Sequence, residues 1–206
     1  MPPRLILFDL GNVLLTFDHH LACQQMGEVA GIPEQRVWQV VFEEGLQRRL
    51  ERGDLTAAEF YDEFCAQARC RPDMAALMHA GCAIFQLHVP VVPIVAHLRA
   101  AGYRLGILSN TCEPHWDYVS RGRFAIIAKY FDPCVLSYRV GAMKPERKIF
   151  EAASEAAGMA PEELLFLDDQ PANVDGARAA GLDAVLYTSP QRLIVDLIRR
   201  GVRFNL

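Results

Sequence analysis

A chain of 206 residues in which 51% are apolar and 22% charged can bury a sizeable core and falls outside the composition of disordered polypeptides. Its formal charge of −4 lacks the basic excess needed to bind nucleic acid or an anionic membrane surface, so neither partner is expected. The six cysteines include no C-x-x-C pair, which argues against a disulfide scaffold or a zinc site and reads most of them as small buried hydrophobes; Cys112, just behind Ser109-Asn110-Thr111, is the one placed where a thiol could matter.

The N-terminus passes from Met1-Pro2-Pro3-Arg4 straight into Leu5-Ile6-Leu7-Phe8, and Asp9 interrupts the apolar run too soon for a leader or a membrane span. A cytoplasmic protein is the resulting expectation. A short run of branched and aromatic residues bounded by turn formers, here Gly11-Asn12, reads as a buried strand of a parallel sheet with Asp9 at its carboxyl end. Residues 16–85 then show helical patterning and no convincing strand. One helix covers 20–30, and Pro33 opens another that carries Val37, Val40, Val41 and Leu46. Gly53-Asp54 breaks the pattern, the capping box Thr56-Ala57-Ala58-Glu59 starts a third helix, and Pro72 starts a fourth.

From Val91 onward strands alternate with helices in the rhythm of βαβ units. The expected elements are a helix over 92–101, strands over 104–108 and 134–136, a helix over 146–157, a strand over 164–167, a helix over 174–180, a strand over 184–187 and a closing helix over 191–200. The fold class is therefore α/β, a Rossmann-like parallel sheet flanked by helices. Residues 1–15 and 86–206 form its core, and residues 16–85 form a small helical cap inserted after the first strand.

Asp9, Ser109-Asn110, Lys144 and Asp168-Asp169 fall at or just beyond expected strand ends, and parallel strands of one sheet place those ends on one edge. Taken singly, each has an ordinary explanation: a turn carboxylate, a turn hydroxyl, a surface ammonium, an acidic pair at a helix N-terminus. Their joint order and type resemble the haloacid dehalogenase superfamily of phosphohydrolases. The matching motifs are Phe8-Asp9-Leu10-Gly11-Asn12-Val13, Leu108-Ser109-Asn110-Thr111, Lys144-Pro145-Glu146 and Leu167-Asp168-Asp169-Gln170-Pro171-Ala172-Asn173. The helical insertion resembles that superfamily's small cap. The Asp-Leu-Gly-Asn-Val and Asp-Asp-x-x-x-Asn versions of the motifs are similar to those of bacterial glucose 1-phosphate phosphatases and their relatives.

The resemblance implies a nucleophilic carboxylate at Asp9 that attacks phosphorus and forms an aspartyl-phosphate. It also implies a magnesium ion held by Asp9, the Gly11 carbonyl, Asp168 and Asp169, with Asp169 the principal motif-four ligand. Ser109, Asn110 and Lys144 would bind the phosphoryl group, and Asn173 would orient the metal-binding loop. Three carboxylates then face three positive charges, two on magnesium and one on Lys144. The expected substrate is a small phosphorylated metabolite, with a sugar phosphate such as glucose 1-phosphate a candidate.

One position departs from the pattern. Most phosphatases of the superfamily carry a second Asp two residues after the nucleophile, as the proton donor to the leaving group; here that residue is Gly11. A missing general acid costs ~10²- to 10⁴-fold, so turnover should favour good leaving groups unless the cap supplies a donor, for which His19 and His20 are candidates. Two alternatives remain at this level. A 2-haloacid dehalogenase also lacks the second Asp, although the doublet Asp168-Asp169 counts against it, and a catalytically impaired binding protein of the same fold would account for Gly11.

Overall fold

The computed structural model describes residues 2–203; Met1 and residues 204–206, which the expected core includes, lie outside the described residues. A five-stranded parallel sheet in the order β5-β4-β1-β6-β7 is built from β1 (Leu5–Phe8), β4 (Arg104–Ser109), β5 (Cys134–Leu136), β6 (Leu164–Asp168) and β7 (Asp183–Leu186). Alternation along each strand sends side chains to two apolar layers. Ile6, Phe8, Leu105, Ile107, Leu165 and Leu167 enter one; Leu5, Leu7, Leu108, Leu164 and Phe166 enter the other. All four β1 side chains are fully buried, each contributing about 1.5–3 kcal/mol, and the strand lies at the centre of the sheet. Gly106 belongs to this close packing, since a Cβ there would lie 2.7 Å from the Pro133 carbonyl oxygen and 2.8 Å from Leu7.

Helices α6 (Val92–Ala100), α7 (Glu113–Ser120), α8 (Ala125–Tyr130) and α12 (Pro190–Arg199) cover the first face, while α10 (Arg147–Ala157) and α11 (Pro171–Ala179) cover the second. A single turn of helix, α9 (Ser137–Val140), follows β5. Between β2 (Leu15–Thr16) and β3 (Gln86–Leu87) lie α1 (His19–Ala30), α2 (Glu34–Trp38), α3 (Leu46–Arg52), α4 (Ala57–Ala68) and α5 (Met74–Cys82), packed around a third apolar cluster that includes Val37, Val40, Phe64 and Leu77. The α4 capping box forms as its residues dictate: the Thr56 hydroxyl accepts from the Glu59 N–H at 3.2 Å, and the Glu59 carboxylate accepts from the Thr56 N–H at 2.8 Å.

Several elements differ from expectation. The antiparallel ribbon of β2 and β3, pairing Leu15 with Leu87 and Thr16 with Gln86, is only two residues long and carries no sequence period. The helix opened at Pro33 is not continuous, because a π-helical stretch over 39–43 is followed by Gly45 at φ 78°, a left-handed residue that ends the run and restarts it as α3. The short helices α7, α8 and α9 were not anticipated, and α11 begins at Pro171, where a proline at N1 loses no hydrogen bond. Lys144 does not follow a strand; α9 and a turn separate it from β5. Cys112 is fully buried within the helical insert's apolar cluster, and burial pushes its thiol well above the ordinary range, so it packs as a hydrophobe. None of the helices among the described residues is long and apolar enough to cross a membrane.

Candidate active site

Strands β4, β1 and β6 are neighbours and run the same way, so their carboxyl ends open on one edge. Asp9 leaves β1 with its N–H donating to the Leu167 carbonyl at 2.8 Å, Ser109 ends β4, and Asp168 ends β6. One oxygen from each of Asp9, Asp168 and Asp169 falls within 4.8 Å of the others. Lys144 Nζ lies 2.7 Å from Asp9 Oδ1 and 2.6 Å from Asp168 Oδ2, with its own side chain 1% exposed. Burial pushes the Asp9 carboxyl up to about 7 against the pull of the Lys144 ammonium. Burial would lower Lys144, but the Asp9 and Asp168 carboxylates outweigh it and hold the ammonium above its ordinary range.

The two acids of the doublet have different surroundings. Asp168 is fully buried and its oxygens are engaged: Oδ2 by Lys144, Oδ1 by the Gln170 N–H at 2.7 Å, and both by Asn173 Nδ2 at 3.0 and 3.1 Å. Asp169 is half-buried, and its Oδ2 accepts from Asn12 Nδ2 at 3.1 Å and from Gln170 Nε2 at 2.8 Å. A cavity of about 170 Å³ opens among Asp9, Gly11, Asn110, Lys144, Asp169 and Asn173. Asp9 Oδ1 already accepts from Lys144 and from the Leu10 N–H at 2.7 Å, whereas Oδ2 has no donor among the described residues. Three carboxylates against one ammonium leave a deficit of two positive charges in a set of hard oxygen donors, which fits a divalent cation of the magnesium type.

Residues 3–181 match the haloacid dehalogenase-like hydrolases. The chain belongs to that family. Over 187 residues it is 26% identical to D-ribitol-5-phosphate phosphatase from Bacteroides thetaiotaomicron, covering 86% of this chain and 88% of the relative. The HAD family enzyme BT-2542 of the same organism, solved with magnesium and inorganic phosphate, superposes with a TM-score of 0.80 at 26% identity over 90% of this chain and 94% of that one. A HAD-like family hydrolase from Porphyromonas gingivalis gives 0.82 at 26% identity, covering 97% and 99%.

Other groups of this haloacid dehalogenase-like hydrolase have partners that the sequence does not show. The Asn110 amide is committed to the backbone of Lys144: Oδ1 accepts its N–H at 2.8 Å and Nδ2 donates to its carbonyl at 3.1 Å. That clamp fixes where the ammonium stands and uses one of the two Asn110 Nδ2 hydrogens, so the other remains for a phosphoryl oxygen in the cavity that Asn110 lines. Ser109 lines a second, inner cavity of about 50 Å³ together with Gly11, Phe17, His19, Glu51 and His115. His20 is exposed, stacked on Trp38 at 4.6 Å and paired with Glu34 at 3.0 Å, so it lines neither cavity; His19 does, packed between Phe17 and Phe42. The left-handed residue at the first turn is Asn12, at φ 55°, not Gly11. A Cβ on Gly11 would stand 2.7 Å from Phe17 Cε1, so a phenyl ring fills the space that a side chain at this position would use.

Glu51, Phe17 and Asn12 were absent from the sequence-based site. Asn12 lies inside the first motif without a role assigned to it, and Phe17 carries no pattern of its own. Glu51 carried one faint signal, a carboxylate in the last turn of α3, where the helix dipole disfavours negative charge.

Proposed function

We propose that this phosphatase of the haloacid dehalogenase-like family hydrolyses a small phosphorylated sugar or polyol through an aspartyl-phosphate on Asp9. The observation that carries the reading is the buried Asp9–Lys144–Asp168 bridge beside a second, more accessible acid, Asp169. A structural core gains little from confining three carboxylates around one ammonium, because desolvating charges is costly. Magnesium is the cofactor, and it supplies the charge that cancels repulsion between Asp9 and the phosphate dianion and polarises the phosphoryl group. Asp9, Asp169 and the Gly11 carbonyl would hold it, with Asp168 behind them.

The chain's own residues then have separable tasks. Asp9 offers to phosphorus a carboxylate oxygen that has no donor among the described residues, while the other is pinned by Lys144 and the Leu10 N–H. Lys144, steered by Asn110, presents positive charge to the phosphoryl oxygens. Asn173 and the Gln170 N–H hold Asp168 as the counter-charge that keeps the ammonium in place. The small inner cavity suits a compact leaving group, and the relative named for D-ribitol 5-phosphate supports a polyol or sugar phosphate. The 2-haloacid dehalogenase reading is not favoured, since the Asp168-Asp169 doublet makes chemical sense chiefly beside a cation.

A screen of phosphorylated metabolites should include ribitol 5-phosphate, glucose 1-phosphate and glucose 6-phosphate, each with magnesium and with EDTA. Hydrolysis of at least one polyol or sugar phosphate, abolished by EDTA and restored by magnesium, is the expected result. Chelator-resistant turnover, or turnover confined to haloacids, would remove this assignment.

The doublet gives a sharper result. Asp169→Ala should raise the magnesium concentration for half-maximal activity at least ~10-fold with little change in the urea midpoint, because the group is half-buried and, among the described residues, accepts side-chain hydrogen bonds only from the exposed amides of Asn12 and Gln170. Asp168→Ala should instead destabilise the fold by about 1–3 kcal/mol, because the buried Asn173 amide and the Gln170 N–H lose their acceptor while Lys144 keeps only Asp9. A magnesium titration and a urea melt on each variant check both, and equal behaviour of the two would mean that the division of labour is wrong.

A further inference from the structure

We propose that Glu51, on the helical insert, is the proton donor to the leaving group, standing in for the carboxylate absent at Gly11; this rests on the phosphatase reading above. The geometry begins with the two cavities. Gly11, Phe17 and Asn110 line both, so they form the wall between the chamber of Asp9, Lys144 and Asp169 and the inner chamber that holds Glu51. A phosphoryl group on Asp9 would direct its ester oxygen across that wall.

Glu51 is held toward the wall by contacts of its own backbone carbonyl and of the two residues that follow it. The Ser137 hydroxyl donates to the Glu51 carbonyl at 2.5 Å and accepts from the Thr111 N–H at 2.9 Å, tying α3 to the segment that carries Ser109 and Asn110. Arg52 forms a two-pronged ion pair with Glu146, two residues after Lys144. Gly53, at φ 85°, lies so close to α9 that a Cβ would come within 2.3 Å of the Tyr138 carbonyl oxygen, so glycine permits the contact. The carboxyl itself has one hydrogen bond among the described residues, from Gln47 Nε2 to Oε1 at 2.9 Å, and Oε2 is left for a substrate.

Its acidity suits the role. Burial pushes the Glu51 carboxyl up to about 7; Gln47, Arg48 and Lys144 pull it down, and Asp9 adds to the rise. A protonated fraction is therefore present at neutral pH, as a general acid requires. The two histidines of the same chamber are poorer donors, since burial brings His115 down to about 4 and also lowers His19, which disfavours the imidazolium in both.

The steps balance. Asp9 forms a bond to phosphorus as the bond from phosphorus to the ester oxygen breaks; the electron pair stays on that oxygen, which takes the Glu51 proton and departs as an alcohol. The Glu51 carboxylate then takes a proton from the water that attacks the aspartyl-phosphate. The phosphorus–Asp9 bond breaks with its electron pair returning to Asp9, phosphate leaves, and Glu51 is again protonated.

The test is kcat/KM of the wild type, Glu51→Gln, Glu51→Asp and Asp9→Asn on glycerol 2-phosphate and p-nitrophenyl phosphate at saturating magnesium. Glu51→Gln should lose ~10²-fold or more on the alkyl ester and less than about 3-fold on the aryl ester, whose leaving group needs no proton. Glu51→Asp should recover part of the alkyl rate, and urea midpoints identify any variant whose fold has changed. Equal loss on both esters, or loss on neither, overturns the donor assignment. Should the wild type hydrolyse neither ester nor any metabolite of the screen, or Asp9→Asn remain active, it is the phosphatase reading that falls.

Discussion

Asp9→Asn should lose at least ~10⁴-fold in turnover while folding as the wild type does. The carboxamide is nearly isosteric, and its oxygen can still accept from Lys144 Nζ and the Leu10 N–H, the two contacts that hold Asp9 Oδ1. What it lacks is nucleophilicity, so no phosphoryl-enzyme forms and only slow direct attack by water remains. The substitution also removes one of two carboxylates facing a buried ammonium, without stranding Lys144, because Asp168 stays at 2.6 Å. Steady-state assays against the best substrate of the metabolite screen, with a thermal or urea melt on the same preparation, separate chemistry from stability. A variant that keeps a tenth of wild-type turnover would show that Asp9 is not the nucleophile.

Lys144→Met is the second large effect, and it should appear in stability before activity. Methionine approximates the length of the lysine stem but leaves Asp9 and Asp168 facing each other in a buried site with no cation between them. Removing one partner from a buried ion pair costs about 3–5 kcal/mol, here with two carboxylates stranded, so the metal-free variant should unfold at markedly lower urea than the wild type. Adding magnesium should recover part of the loss, because a divalent ion bound only by the folded state shifts the equilibrium toward it. Turnover should fall ~10²- to 10³-fold even with magnesium saturating, since the positive charge presented to the phosphoryl oxygens is gone. Urea melts with EDTA and with excess magnesium test the first part. An unchanged metal-free midpoint would mean that the bridge carries no net stabilisation.

The sheet was legible in the sequence because fully buried parallel strands announce themselves. Leu5–Phe8, followed directly by Asp9, and Leu164–Asp168 are apolar runs closed by a carboxylate, and no solvated element needs that pattern. Chemistry at the strand ends was legible for the same reason: an acid that terminates a buried strand lies on the edge where neighbouring strands also terminate. The motif order carried the family, and with it the expectation of a carboxylate–magnesium phosphatase. The capping box at Thr56 was readable because both of its partners lie within four residues.

What the sequence could not decide was set by contacts between residues far apart in it. Nothing local to Asn110 says that its amide spends both ends on the Lys144 backbone, 34 residues away, and is therefore a clamp. Nothing local to Phe17 says that its ring occupies the space beside Gly11, or that His19 turns inward while its neighbour His20 stacks on Trp38. Glu51 is an ordinary helical glutamate in the sequence. Only the closure of α3 onto Ser137 and Glu146 sets it beside the inner chamber, where burial changes its acidity. Periodicity and turn chemistry determine where buried strands run and where they stop, because those preferences act over a few residues. Hydrogen-bond assignment and desolvation at the site depend on the field of the whole folded chain, which only the tertiary structure supplies.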